Sequence, residues 1–540
     1  MSLTKVHNRM FAQTVFNVKD YGALGDDSND DTAAAQAAID AAETEGGGVV
    51  LFPEGTYLLN SFYSGYTPSG RSNDVARLYI DGDNISFVGQ GAKLTTSTGD
   101  GDRRHFFFAN GSENIHFEGF IFDNKGVAST TRRTQAITTN GTKNITIQKC
   151  TVENECLGFF IGKNSQYTSI TECHIDGSLA LNTGGDDAKP SGDQTDGTVS
   201  DIVISKCFIE NCSEAIDINH DTTDFIISEN YITLSSGSEE ALDIGGSTVC
   251  RNGVISNNFI VVNSADADGI LLKQETKDVE VTGNRINYTA ATSTTNYGIR
   301  LNASNLDNFK ITDNTIKNFS RGIVSETSAG TNFTINQNFI SDCATSGIVI
   351  HATFGSISDN IVDMSDSGNT GAAMQLLGSQ FNCCGNNITG NSNMSKTFEI
   401  DASNTVCKGN NIVGGVVPVT LNANNIVFDG NSISSGTSTA IDVDGPENVV
   451  VSNNIVFNND SASSATATID FANVTNGSAT GNMIYDTRSS GQTELGKIVA
   501  AATCDFILFA NNTISNTVTS PGQVTINGAV SNSSNTDNLV

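Results

Sequence analysis

A chain of 540 residues with 28 Lys and Arg against 59 Asp and Glu carries a formal charge of −31, which argues against nucleic acid and anionic lipid as partners and admits an acidic glycan only at a local basic patch. No stretch approaches a membrane span and the opening MSLTKVHNRMFAQTVFNVKDYGALGDD has no apolar run of signal-peptide length, so neither membrane insertion nor a signal peptide is expected. The 11 Cys are an odd number, and reduced structural thiols in a protein folded in a cytoplasm are the expectation.

Residues 1–14 form a polar lead or connector without periodicity. Residues 15–75 hold a capping segment and the first strands. Phe16 and Val18 alternate as in a strand, Gly22 and Gly25 bracket a turn, and Asp31 is placed as the N-cap of an Ala-rich helix over about 32–43. Gly46 to Gly48 stop that helix, and VVLFPEGTYLL reads as strand, turn, strand. A short amphipathic helix at this place covers an open strand edge and a core that would otherwise be wet.

Residues 76–514 repeat. After irregular rungs such as RLYIDGDNISFVGQG, one frame (apolar, any, apolar, any, any, Asn, any, apolar) begins 15 times between residues 145 and 507, at separations of 21 to 34 residues. Apolar residues two apart, as Phe309 and Ile311 in FKITDNTI, fit a strand with one face inward. The sixth position is Cys150, Cys173 and Cys207 in the first three copies and Asn in the rest, from Asn230 to Asn512. An amide that donates and accepts in a bend predicts a ladder from turn to turn. The fold class is therefore all-β, a single-stranded parallel β-helix forming one elongated domain with a short N-terminal capping helix. Residues 515–540, nearly uncharged and rich in Ser, Thr and Asn, are a C-terminal tail or terminal strand segment.

The stretch NVKDYGALGDDSNDDTAAAQAAI followed by GGGVVLFPEGTY resembles the entry segment of the pectate-lyase-type right-handed β-helix superfamily, with DDSN in place of the usual Gly after the first Asp. That superfamily includes pectate lyases, polygalacturonases, alginate-acting enzymes and bacteriophage tailspikes, so the resemblance implies the fold before it implies a function. The preceding LTKVHNRM is similar to the lead that joins the particle-binding part to the β-helix in tailspikes. A tailspike resemblance implies a homotrimer, attachment to the virion tail through the N-terminus, host recognition, and assembly in the host cytoplasm.

Each turn carries a second strand signature, as in AIDINH at 215, ALDIGG at 241, GILLKQ at 269 and GIRLNA at 298. The residue between two inward ones points outward, so stacking sets Asp217 beside Asp243, with Asn219 and His220 next to them and Lys273 and Arg300 on following rungs. Two carboxylates about 5 Å apart repel by roughly 1 to 3.5 kcal/mol, enough to shift one pKa by about one or two units. Such a pair suits glycosidic cleavage, and Asp217, Asp243 and His220 are the candidate catalytic residues. Asn219, Lys273, Arg300, Asn302, Glu326 and His351 are candidate substrate-binding residues. No metal ligand set and no cofactor are expected, except a divalent cation such as calcium if the chemistry is elimination, with Lys273 or Arg300 as base or charge neutraliser. Glu399, Asp401, Asp442 and Asp444 form a second acidic strip, read as solvated surface charge.

The function expected is that of a tailspike-like receptor-binding protein that binds and cleaves a bacterial surface polysaccharide, as a glycosidase before a lyase. The alternatives are a free-standing polysaccharide lyase or epimerase acting on an acidic glycan, and a non-catalytic glycan-binding adhesin.

Overall fold

Each turn is three short strands joined by bends, and strands of successive turns pair in parallel. In the computed structural model the described residues are 14–539 apart from 66–74, 98–103, 126–133, 184–196, 461–466, 489–495, 516–522, 527–532 and a few shorter stretches and single positions, His220 among them. Chain contacts divide it into two compact units, residues 1–264 and 265–540, where the repeat suggests one elongated domain. In a solenoid each turn contacts only its neighbours, so compactness is a local property. Each unit is built from three parallel sheets. In the first unit, the first sheet holds strands such as Lys143–Gln148 and Gln166–Thr171, the second Thr151–Glu153 and His174–Asp176, and the third Leu157–Ile161 and Leu179–Thr183. The second unit repeats the arrangement, with Asp307–Thr312, Thr315–Lys317 and Arg321–Ser325 as one turn.

The expected alternation is present. Phe309, Ile311 and Ile316 are buried, and each stacks on its counterpart one turn on, Phe333, Ile335 and Ile340. The bend between first and second strands is made by a left-handed residue directly before the frame's sixth position, as at Asp313, Gln337 and Asp359. The buried Asn that follows has its amide inside the corner. Asn360 Nδ2 donates to Asn386 Oδ1 at 2.9 Å and to the Ile335 carbonyl at 2.9 Å, and its backbone N–H donates to the same Asn386 oxygen at 3.1 Å. The pattern runs from Asn284 through Asn314, Asn338, Asn410, Asn431, Asn454 and Asn482 to Asn512. It continues to Asn538, inside the segment whose sequence left a tail or a strand open, and Gln523–Ile526 pairs there with Lys497–Ala500. In the first unit Cys207 takes over the ladder, its backbone N–H donating to Asn230 Oδ1 at 2.9 Å. All 11 Cys are free thiols.

The cap is the helix α1, Thr32–Thr44, buried on Ala35, Ala38, Ile39 and Ala42. It closes the edge of the first strand of the third sheet, Val75–Ile80: Gln36 Nε2 donates to the Tyr79 carbonyl and the Tyr79 N–H donates to Gln36 Oε1, both at 2.9 Å. One side-chain amide thus replaces the missing neighbour strand. The expected N-cap differs. Asp31 precedes the helix but makes no side-chain cap bond; its carboxylate accepts from the Leu24 and Gly25 N–H groups at 2.7 and 3.0 Å, tying down the entry loop. Asp30 accepts from the Thr32 N–H instead, at 3.1 Å.

Replacing Asn360 by Ala removes its bonds to Asn386 and Ile335 and takes away the acceptor of the Asn338 backbone N–H; a loss of about 3 kcal/mol is expected in chemical denaturation. Asn411→Ala, which removes an exposed amide bonded to Asn387, is expected to change stability by less than about 0.5 kcal/mol.

Candidate active site

The connections place the functional face. Between the first and second sheets the chain crosses in as little as the two residues separating Glu118 from Ile121, whereas Leu58 to Val75, Thr95 to Arg104 and Asp123 to Thr134 are long crossings into the third sheet. Insertions crowd the borders of the third sheet, and its outward residues line up from rung to rung.

In the first unit that row is Tyr79, Phe108, Thr138, Phe160, Asn182, Asp217 and Asp243, each a register partner of the next. It begins aromatic. Tyr63 stacks on Tyr79 at 5.2 Å and Tyr79 on Phe108 at 6.1 Å, all nearly parallel, and Asn110 Nδ2 donates to the Tyr79 hydroxyl at 3.0 Å. It ends acidic. Asp217 Oδ2 accepts from Asn182 Nδ2 at 3.1 Å and from Asn219 Nδ2 at 3.0 Å. Two donors on one oxygen suit an ionised carboxylate. Asp217 and Asp243 are both buried although they point away from the core, so they sit in a recess. One oxygen each from Glu214, Asp217 and Asp243 lie within 4.8 Å of one another, and the same holds for Glu214, Glu239 and Glu240; among the described residues these groupings have the donor set for a hard divalent cation.

The structure therefore brings together Asp217, Asp243 and Asn219. His220 lies outside the described residues. Asn182, Glu214, Tyr63, Tyr79 and Phe108 join the site and were not singled out in the sequence. Asn182 lies on Leu179–Thr183, a strand inside what reads as an insertion after 177; its LALNT alternation is the signal that marks it.

The remaining candidates lie in the second unit. Arg300 sits on the row Leu271, Arg300, Val324, Val349. Lys273 and Asn302, two residues further along, fall on the row that continues to Glu326 and His351. Arg300 is held by Asp268 at 3.2 Å and Glu326 at 2.7 Å, and its guanidinium lies 5.0 Å from the Tyr297 ring centre. Burial opposes its charge, but the two carboxylates outweigh burial and hold its pKa above the ordinary value. A guanidinium so held is a poor base, and here it ties rungs together. Burial and nearby Arg321 lower the pKa of His351, favouring the neutral imidazole. The second acidic strip is less exposed than expected for surface charge. Glu399 is buried and Asp442 half-buried on the row Gln375, Glu399, Thr420, Asp442, Asp470, whereas Asp444 is exposed. Burial, then Asp470 and Asp444, push the Asp442 pKa up against a smaller opposing effect of Lys396.

These features define a fold class, an all-β parallel β-solenoid with one short N-terminal helix and a carboxylate-bearing outer face on its third sheet. Residues 15–243, a stretch that includes both Asp217 and Asp243, match the family described as rhamnogalacturonase A/epimerase, pectate lyase-like. Among curated proteins, the mannuronan C5-epimerase AlgE2 of Azotobacter vinelandii is 27% identical over 266 residues, 44% of this chain and 23% of that relative. The aligned stretches in the first three epimerases span 4% to 23% of those proteins' own lengths. Among solved structures, the tailspike of E. coli bacteriophage HK620 in complex with a pentasaccharide is similar at 15% identity and a TM-score of 0.36, over 96% of this chain and 80% of that one. The Streptococcus pneumoniae surface protein and adhesin PfbA is similar at 19% identity and a TM-score of 0.44, over 60% and 97%.

The raised pKa of Asp442 sets a pH-dependent stability. The folded state holds that proton more tightly than the unfolded chain, so the group costs stability at neutral pH. That cost disappears as pH falls through the folded pKa towards the ordinary 3.8. Asp442→Asn is expected to melt above the parent at pH 7, with the difference closing under acid conditions in paired thermal scans.

Proposed function

We propose that the chain binds a long bacterial surface polysaccharide along the third sheet of its first unit and cleaves a glycosidic bond there, in the manner of a tailspike receptor-binding protein. The observation that carries this reading is the row that passes from stacked Tyr79 and Phe108 to Asn182, Asp217 and Asp243. Aromatic rings give a sugar chain an apolar platform, and the carboxylates supply the chemistry. Asp243, as the acid, protonates the departing glycosidic oxygen; Asp217, whose charge is supported by two amides, attacks the anomeric carbon. Water then releases the sugar with Asp243 acting as base. Carboxyl groups about 5 to 5.5 Å apart belong to retaining cleavage and a gap of about 6.5 to 9.5 Å to inversion; neighbouring rungs with oxygens inside 4.8 Å favour retention. Concentrated acidic charge at this site favours a neutral or weakly charged repeat over a uronate. A homotrimer attached to the virion tail through its N-terminus, assembled in the host cytoplasm, belongs to the same reading, and light scattering on the full chain tests the trimer.

A second reading rests on the Glu214, Asp217 and Asp243 cluster. A calcium ion held by those oxygens would neutralise an acidic sugar for elimination or epimerisation, the reading to which the epimerase-type family match lends support. A non-cleaving adhesin is the third.

Incubation with a panel of bacterial surface polysaccharides separates the three. Cleavage with retained anomeric configuration by NMR is expected, with Asp217→Asn or Asp243→Asn lowering the rate by roughly 10²- to 10⁴-fold; undiminished cleavage in both variants would remove this site from the chemistry. Chelation with EDTA is expected to leave the rate unchanged and the products without the ultraviolet absorbance of an unsaturated sugar. Loss of activity on chelation, restored by calcium, supports the elimination reading. Binding without cleavage of any member supports the adhesin.

A further inference from the structure

We propose that the outward row of the third sheet in the second unit, Gln375, Glu399, Thr420, Asp442 and Asp470, is a saccharide-binding site that takes a neutral, hydroxyl-rich sugar unit.

Register places the five side chains one above another on adjacent strands. Acidity alone would not make this a site, because stacked carboxylates occur on many acidic surfaces. The second observation is Thr420. Its side chain lies between Glu399 and Asp442 in the row, only 3% of the residue is exposed, and its hydroxyl has no hydrogen-bond partner in the structure. A buried hydroxyl left unmade is costly, and a ligand hydroxyl is the natural group to complete it, since Thr can both donate and accept.

The neighbours say which ligand. Glu399 is compensated inside the protein, with Lys396 Nζ on Oε1 and Gln375 Nε2 donating to Oε2 at 2.8 Å, so it offers shape and one acceptor without net charge. Asp442 and Asp470 stand as register partners, both half-buried. The row thus sets the Thr420 hydroxyl, which can donate and accept, beside the carboxylate acceptors of Asp442 and Asp470, groups that sugar hydroxyls match. An anionic sugar would meet like charge at Asp442, Asp470 and Asp444. A cation would lack a third close carboxylate: among the described residues, the three-ligand groupings lie elsewhere, around Glu214. The site stands apart from the cleavage reading, which uses the first unit.

The test uses the full chain carrying Asp217→Asn and Asp243→Asn, so that the first unit does not consume the probe. Neutral oligosaccharides released from bacterial O-chains and capsules are screened by saturation-transfer NMR, and calcium chloride alone is titrated by calorimetry. At least one neutral oligosaccharide is expected to bind, with Thr420→Val weakening it roughly tenfold, Thr420→Ser restoring it, and the Thr420→Val melting temperature equal to or above that of the parent. Absence of binding to every neutral oligosaccharide, binding unchanged in both Thr420→Val and Asp470→Asn, or calcium binding alone that Asp470→Asn removes would overturn the proposal. Sugar binding here with no cleavage by the parent would sink only the first-unit reading. Cleavage by the parent with no Thr420-dependent binding would sink only this one.

Discussion

Parallel stacking of turns in strict register is the constraint on which the molecule depends. Strands of one sheet lie about 4.8 Å apart, and nothing in a β-helix closes the structure except the identity of one turn with the next. The Asn ladder enforces that identity at the tightest point of the turn, where a left-handed residue bends the chain and a carbonyl would otherwise lose its partner. Each buried Asn spends its amide on the carbonyl of the preceding turn and on the next Asn, as Asn386 does with Ile357 and Asn410. A second, exposed ladder follows the other corner and runs the opposite way, the left-handed residues Asn425 and Asn448 donating at 2.9 Å to Asn404 and Asn425 of the preceding turn. Inside the corner an unpaired amide is expensive; outside, water replaces it. The difference explains why the inner ladder runs on with so little interruption.

Register also makes neighbours of residues 20 to 35 positions apart, so the chemistry of the outer face is written in rows. Where a row is aromatic, rings stack; where it is acidic, carboxylates repel. Placing Asp217 against Asp243 and Asp442 against Asp470 costs stability, and the ladders and the apolar interior supply what offsets it.

The fold was legible because its signal is carried by period and by one residue type. Phe309, Ile311 and Asn314 announce strand, strand and corner without reference to anything distant. The capping helix was legible for the same reason, but not its cap: Asp30 and Asp31 are both good N-cap residues, and which one turns towards the helix depends on the Leu24–Gly25 loop, a tertiary contact. Asp217 and Asp243 could be paired from sequence because both lie in clear strand signatures. Asn182 could not, since LALNT sits in a long irregular stretch and its membership of the row depends on where the chain re-enters the sheet. Tyr63 was hidden for another reason: it lies off the strands, and only stacking on Tyr79 brings it to the face. The second acidic strip is less exposed than its alternation suggests because outward does not mean solvated where Lys396 and Gln375 close over Glu399.

Charge compensation separates scaffold from chemistry along these rows. Arg300 is matched on two sides by Asp268 and Glu326 and packs on Tyr297, and its row continues into buried Val324 and Val349, against which Leu377 packs. Glu399 is likewise matched by Lys396 and Gln375. Asp217 differs, because it accepts from two neutral amides, Asn182 and Asn219, and stands beside the carboxylate of Asp243. Asp442 differs again, facing carboxylates and lying one rung from a buried hydroxyl. A charge that the fold has already neutralised holds rungs together; a charge oriented by neutral donors, or crowded by its own kind, is kept for a ligand. By that criterion Asp217 in one row, and Asp442 with its neighbour Thr420 in the other, suit the proposed sugar contacts better than Arg300 does.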